Sequence, residues 1–307
     1  MPQDKPWVSH AEIMDRLRAD AAGHCGPAGG AEERIRRYGA PVGCVVEHHP
    51  RLDRCMLRLR HLVHRARARN TTLASGTVVV ADSLSGSSGR FDRSWHAPEG
   101  GLWLALAWAD TLLPRYSALL PLAVGIACCE TVRALGVDGA IRWVNDVHAG
   151  GRKLAGILSE TMATPDGERF HLLGIGLNVN NMDFPPELTA AATSLRAETG
   201  CRYERRAVAI RLLARLAWNI GLVHYCEERG LAEGGDAVAG PATAPLIDRW
   251  RRLSDSPGRR VVYGYDVVKT PLYRARVEDI DPEGGLRMVL DDGSLLTEYS
   301  GEIRYLD

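Results

Sequence analysis

Arg142-Trp-Val-Asn-Asp146 followed by Lys153-Leu-Ala-Gly-Ile-Leu-Ser-Glu160 sets two short polar side chains, Asn145 and Asp146, a few residues before a lysine. Gly150-Gly151 between them predicts a tight hairpin, with the Asn-Asp pair at one strand end and Lys153 opening the next. A lysine facing an amide and a carboxylate suits an anionic ligand group, a metal-bound phosphate included. A charged surface hairpin would carry the same residues, so this stretch alone leaves both readings open. Upstream, Ser83-Leu-Ser-Gly-Ser-Ser-Gly-Arg90 runs into Phe91-Asp-Arg-Ser-Trp95. A small polar loop ending in arginine can wrap backbone N–H groups and a cation around a phosphate, although Ser/Gly loops also serve as plain connectors. Gly174-Ile-Gly-Leu-Asn178 places glycines at a strand end, where backbone can approach a ligand or pack tightly.

Bulk properties narrow the function classes. A chain of 307 residues holds one large or two modest domains. Thirty-eight basic residues balance thirty-eight acidic ones, so no global field favours nucleic acid or a membrane. No run approaches the ~18 apolar residues of a membrane span, and Met1 to Trp7 lack the apolar core of a signal peptide. Seven cysteines without a small-domain framework suggest reduced thiols and a cytoplasmic protein. Cys128-Cys129 fall in an apolar stretch and read as core. Glu47, His48 and His49 are metal ligands by type, but consecutive residues rarely converge on one ion, so a plain loop is expected.

The elements that must position these groups follow from periodicity. Short helices are expected at 10–20 and 31–38, broken by Gly23 to Gly30. Val42 to Val46 reads as the first strand and Leu52 to Arg69 as a helix, with Leu52, Met56, Leu59 and Val63 on its apolar face. Its other faces carry Arg51, Arg54, Arg58, Arg60, Arg65, Arg67 and Arg69. No interleaved aromatics accompany them, so a solvated face or one meeting an acidic partner is expected rather than a nucleic-acid stripe. Strands are expected at 76–82, 102–108 and 169–179, and helices at 116–135, with Pro121 in its first turn, and at 204–229. A mobile Gly/Pro/Ala insertion is expected at 234–245, then a short helix at 246–253. From Arg259 onward, strands at 260–263, 273–280, 286–290, 295–299 and 303–306 alternate with turns and predict a small β-barrel.

Several of these segments together resemble the biotin protein ligases. Arg142-Trp-Val-Asn-Asp146 and Gly151-Arg-Lys-Leu-Ala-Gly-Ile-Leu158 are similar to that family's Lys-Trp-Pro-Asn-Asp and Arg-Lys-Leu-Ala-Gly-Ile-Leu. Gly174 to Asn180, Phe184-Pro-Pro-Glu-Leu188 and Ala192-Thr-Ser-Leu195 follow in the family's order. Gly89, Arg90 and Trp95 match the end of its adenylate loop, Gln-x-x-Gly-Arg-Gly-Arg, and Gly301-Glu-Ile303 matches its closing motif. The resemblance covers residues 42–307. It implies an α+β fold: a mixed β-sheet with helices over 42–256 and a C-terminal SH3-like β-barrel over 257–307. Residues 1–41 form an extension too short and Gly-broken for the winged helix that some members use on DNA.

The resemblance further implies an AMP-forming ligase that activates biotin with ATP and Mg²⁺ as biotinyl-AMP, then transfers it to a lysine of a biotin carboxyl carrier domain. No DNA or membrane partner is expected, and a homodimer is compatible. By this likeness Lys153, Asp146 and Arg90 are catalytic. Gly89, Arg93, Trp95, Arg142, Asn145, Gly156 and Asn178 bind ATP, and Ser83, Leu84, Ser85, Ser87, Ser88, Gly100 and Gly101 line the acid. Cations are needed because the first step joins two anions. Arg142 keeps the charge of the family's lysine with a different, planar shape. Two departures touch the acid site: His49 to Arg54 replaces the family's Ser-Thr-Asn, and Leu84 replaces its Gln. A ligase for a lipoate-like or medium-chain acid, and a non-catalytic acyl-adenylate binder, are therefore the alternatives.

Overall fold

The structure, a computed structural model, describes residues 6–21, 30–87, 89–144, 146–232 and 240–306. In chain order the elements are α1 (His10–Ala21), α2 (Ala31–Gly39), β1 (Val46–Leu52), α3 (Cys55–Arg67), β2 (Thr77–Leu84) and a 3-10 turn (Arg90–Asp92). Then come β3 (Leu102–Ala109), α4 (Pro114–Ser117), α5 (Leu120–Arg133), β4 (Gly139–Arg142), β5 (Asp146–Ala149), β6 (Arg152–Ala163) and β7 (Arg169–Leu177). The rest are α6 (Leu195–Thr199), α7 (Arg205–Ala232), α8 (Gly240–Leu253), β8 (Arg260–Gly264), β9 (Tyr273–Ile280), β10 (Leu286–Leu290), β11 (Leu295–Glu298) and β12 (Glu302–Tyr305).

Seven strands form one mixed sheet in the order β1-β2-β3-β7-β6-β5-β4, with β1 parallel to β2 and the other pairs antiparallel. Strand alternation assigns its two faces. Val78 and Val80 of β2, and Leu102, Leu104, Leu106 and Trp108 of β3, enter a large core with α1, α2, α5, α7 and α8. Val79, Ala81, Ala105 and Ala107 face the other way, toward Cys55, Leu59 and Val63 of α3. The three alanines leave room for α3 to lie close, and each fully buried α3 side chain of Leu or Val size contributes ~1.5–3 kcal/mol. Along β7, Leu173, Ile175 and Leu177 join the large core, so alternation turns Gly174 and Gly176 to the α3 face, beside the site.

The C-terminal five strands form an antiparallel sheet in the order β11-β10-β9-β8-β12, consistent with the expected SH3-like domain. Val8, Ile13, Leu17, Ala31, Ile35 and Val42 enter the large core, so the described part of the N-terminal segment is packed against the fold. α2 crosses α7 at glycines: a Cβ on Gly221 would sit 2.1 Å from the Ile35 carbonyl oxygen, and one on Gly39 1.8 Å from that of Ala217. The stretches 114–133 and α7 are long and apolar enough to cross a membrane, but 72% of the most apolar window of each is buried inside the fold, as in core helices.

Several boundaries differ from expectation. The first strand is Val46–Leu52 rather than 42–46. Val42 is instead buried in the core, and Gly43 adopts φ 74° just before the strand. As an edge strand, β1 tolerates Pro50 and places His48 in partnership with Asp82 (2.9 Å). Leu52 therefore ends β1, and α3 starts at Cys55. The expected 116–135 helix is two pieces, with Pro121 at the start of α5, where a missing N–H costs nothing. The helix expected at 246–253 begins at Gly240 despite Pro245, so the described part of the expected insertion is helical.

Candidate functional site

A cavity of about 560 Å³ opens on the α3 face of the large sheet and is bounded by α3, the 89–95 loop, the β4–β6 hairpins and the C-terminal sheet. Its floor is glycine. A Cβ on Gly176 would lie 2.8 Å from the Trp95 indole nitrogen, and one on Gly156 2.9 Å from the Trp95 ring edge. Trp95 thus rests flat on bare backbone. Among the described residues its buried indole N–H has no hydrogen-bond partner. Gly174 is equally tight against the Met56 sulfur, at 2.6 Å.

The β5–β6 hairpin turns on Gly150 and Gly151, whose φ values of 53° and 76° suit a two-residue turn with left-handed central positions. It brings Lys153 Nζ to 2.5 Å from Asp146 Oδ2 and 5.4 Å from the centroid of the Trp95 ring. This is the juxtaposition expected from the sequence. Arg142, at the end of β4, lines the same cavity with its guanidinium 4.1 Å over the ring of Tyr305. Tyr305 is fixed in turn: its hydroxyl donates to Asp255 Oδ1 (2.6 Å) and lies 2.8 Å from Ser256 Oγ. Behind the hairpin His148 is buried, and burial foremost, with Arg142 next, holds its imidazole down to about 3, so it stays neutral.

The loop carries the other cations. Arg90 Nη1 donates to the Gly301 carbonyl (2.7 Å). Arg93 donates to both carboxylate oxygens of Glu302 (2.8 and 3.1 Å) and to Asp266. The loop closes on itself through Gly89 N–H to Arg93 O (2.8 Å) and Trp95 N–H to Ser87 O (3.1 Å).

The cavity therefore gathers Lys153, Asp146, Arg90, Gly89, Arg93, Trp95, Arg142, Gly156, Leu84 and Ser87. Ser83, Ser85, Gly100, Gly101 and Asn178 lie outside its lining. The Ser83 and Ser85 hydroxyls donate to the carbonyls of Pro50 and Leu52 on β1. Asn178 is buried and donates to the Thr193 carbonyl (2.9 Å). Gly101 is the flat seat of Trp103, with a Cβ position 2.0 Å from that ring, and Gly100 (φ 107°) accepts from Asn180 N–H (2.8 Å). Asn145 and Ser88 lie outside the described residues. Among the described residues no group of three His, Cys, Asp or Glu side chains gathers as a metal site.

Residues that sequence reasoning passed over also line the cavity. Arg60 of α3 pairs with Glu160 of β6 at one side, with Met56, Trp103 and Leu158 nearby. Glu160 lies an even number of residues beyond Gly156, and strand alternation could have found it. Val267 and Val268, on the β8–β9 turn, also line it and carry no such local signal. The expected basic face of α3 is largely paired: Arg58 with Glu47, Arg67 with Asp166, and Arg54 with the Gly86 carbonyl.

Residues 57–180 match the model of the biotin/lipoate A/B protein ligase family. The bifunctional ligase/repressor BirA of Bacillus spizizenii is 36% identical over 148 residues, 47% of this chain and 46% of that protein. The biotin–[acetyl-CoA-carboxylase] ligase of Mycobacterium tuberculosis is 34% identical over 158 residues, 49% of this chain and 56% of its own length. The chain thus spans about half the length of these relatives. The biotin protein ligase of Aquifex aeolicus, solved with biotin and ATP, superimposes with a TM-score of 0.64 at 22% identity, covering 85% of this chain and 97% of that one. The chain is thus similar to the biotin/lipoate A/B protein ligase family over residues 57–180 and shares its overall fold with the Aquifex aeolicus protein.

Proposed function

We propose that the protein is an ATP-dependent ligase that activates biotin as biotinyl-AMP and transfers the acyl group to a lysine of a carboxylase carrier domain. The observation that carries this is one cavity in which Lys153, Asp146 and Arg90 meet above a glycine floor covered by Trp95. Residues 42–256 would be the catalytic domain and 257–307 the C-terminal barrel. Residues 1–41 would be an extension, not a winged helix, and its described helices dock on α7. The protein would act in the cytoplasm. We assign it no DNA partner; the repressor activity in the relative's name is that protein's.

In the first step a carboxylate oxygen attacks the α-phosphorus of ATP, and pyrophosphate leaves with the bonding pair. Both partners are anions, and Lys153 and Arg90 offset their repulsion in a site partly closed to water. ATP enters as its Mg²⁺ complex; such an ion keeps water and takes one or two carboxylates beside the phosphates, a place for which Asp146 has the right chemistry. Trp95 offers a flat ring to the base. Its unpartnered N–H, which costs ~1–3 kcal/mol unpaired, supplies a donor if the ring shifts on binding. In the second step the carrier's lysine amine attacks the acyl carbon, AMP departs, and the amine gives up a proton.

One observation favours a second acid. Leu84, Met56, Trp103 and Leu158 make an apolar wall where a urea would need polar partners, which suits an alkyl or dithiolane tail. Asp53, Arg54, Arg60 and Glu160 also line the cavity and are the polar groups available to a urea. Calorimetric titration of biotin, lipoate and octanoate, paired with acid-dependent pyrophosphate exchange, tests the assignment. Biotin-dependent exchange is expected. Exchange with lipoate or octanoate alone would transfer the function to that acid, and no exchange with any of the three would sink ligase activity.

A further inference from the structure

The loop expected to cover the nucleotide lays Trp95 on the large sheet, and its arginines tie it to the C-terminal sheet as well. Arg93 reaches Glu302 at the start of β12 and Asp266 on the β8–β9 turn, while Arg90 bonds the carbonyl of Gly301. Two carboxylates on one guanidinium more than offset its charge. Burial opposes ionisation of Asp266, yet the backbone N–H of Lys269 and then Arg93 hold its carboxyl below the ordinary range. Asp266 Oδ1 also accepts from Val268 N–H and Lys269 N–H, both at 3.2 Å, and so shapes the turn whose Val267 and Val268 wall the cavity. Arg90, by contrast, has one hydrogen bond among the described residues, to the neutral Gly301 carbonyl, and carries further donors.

We propose that Asp266 and Glu302 are positioning residues of the nucleotide site: they hold Arg93 so that the 89–95 loop spans the cavity, leaving Arg90 to face the phosphates. Arg93 is then a strut and not a phosphate ligand. The proposal rests on the ligase reading of the cavity for its activity readout, but its structural readout is independent of it.

The test uses the full chain as wild type, the isosteric double variant Asp266→Asn/Glu302→Gln, Arg93→Ala, and the swap Arg93→Glu/Glu302→Arg. Hydrogen exchange at Gly89 and Trp95, whose N–H groups close the loop, should speed up about tenfold in the double variant and in Arg93→Ala, and recover in part in the swap. Amides of β6 serve as the internal control for the fold. In pyrophosphate exchange, KM for ATP should rise about tenfold in both the double variant and Arg93→Ala, with kcat changed less than about threefold. These sizes reflect one half-exposed charged network worth on the order of 1.4 kcal/mol. If Arg93 were itself a phosphate ligand, freeing it would leave KM unchanged or lower it in the double variant; that result overturns the proposal. Unchanged loop exchange in the double variant overturns it equally. A wild-type protein without exchange activity on any acid would remove the ligase reading, and the amide measurement would still decide whether the strut exists.

Discussion

Lys153 and Asp146 face one another at 2.5 Å across a hairpin of seven residues' separation, with the ammonium also over the Trp95 ring. Their side chains are 32% and 33% exposed, so the pair adds little to stability and leaves both groups within reach of a ligand. Replacing Lys153 with alanine should therefore remove acid-dependent pyrophosphate exchange by at least ~100-fold while unfolding stability changes by less than about 1 kcal/mol. Undiminished exchange in that variant would exclude Lys153 from the chemistry.

Gly176 is tested by a single methyl. The Cβ of Gly176→Ala would lie 2.8–3.1 Å from three atoms of the Trp95 indole, so the ring must lift off the floor into the cavity. ATP affinity should drop by roughly tenfold, about 1.4 kcal/mol, and Trp95 fluorescence should shift. Because strain falls on a ring bordering open space, the loss of stability should stay near 1–2 kcal/mol, at the lower end of overpacking costs. Unaltered nucleotide binding would show that Trp95 does not touch the base.

Leu84→Gln adds a donor and an acceptor to the apolar wall. With biotin as the acid, each bond gained is worth about 1 kcal/mol, or about fivefold tighter binding. Octanoate should bind more weakly. Calorimetry showing the reverse order would move the acid away from biotin.

A buried and a half-buried histidine predict the pH response. Burial holds His148 down to about 3 and His224 to about 4, and His224 Nε2 accepts from the Trp108 indole (3.1 Å). Both folded-state values are depressed, so the unfolded chain binds the extra protons. Their neutral-state stability is complete above ~6.5, the unfolded histidine value, and is lost as pH falls toward 4. The slope is up to ~1.4 kcal/mol per pH unit for each histidine. Urea unfolding at pH 7, 6, 5 and 4 should trace this decline, and His224→Gln should flatten part of it. An equal slope in that variant would mean His224 is already protonated in the fold.

Much of the architecture was legible because local periodicity reports which face is buried. The unbroken apolar run Val78 to Ala81 suits a strand buried on both faces, and Val208, Leu212, Leu216 and Ile220, spaced four apart, suit one buried face of α7. The Gly150-Gly151 turn fixed the Lys153–Asp146 encounter within one hairpin. Boundaries failed where burial competes with propensity: Val42 reads as strand by type but fills the core, and the polar His48-His49-Pro50 segment is a strand because β2 offers it an edge.

Local sequence sufficed for the hairpin that sets lysine against carboxylate, the glycines of the Gly174 to Asn178 strand end, and the strand-rich C-terminal segment. These are local matters of turn geometry, side-chain volume and a two-residue period. Folding alone set Trp95 on the glycines, brought Arg93 to Glu302, 209 residues away, and Arg60 to Glu160, 100 residues away, and stacked Arg142 on Tyr305. Those contacts depend on how the C-terminal sheet docks beside the 89–95 loop and how α3 settles on its alanines. Such docking is fixed by the packing of the whole molecule, which no short stretch of sequence encodes.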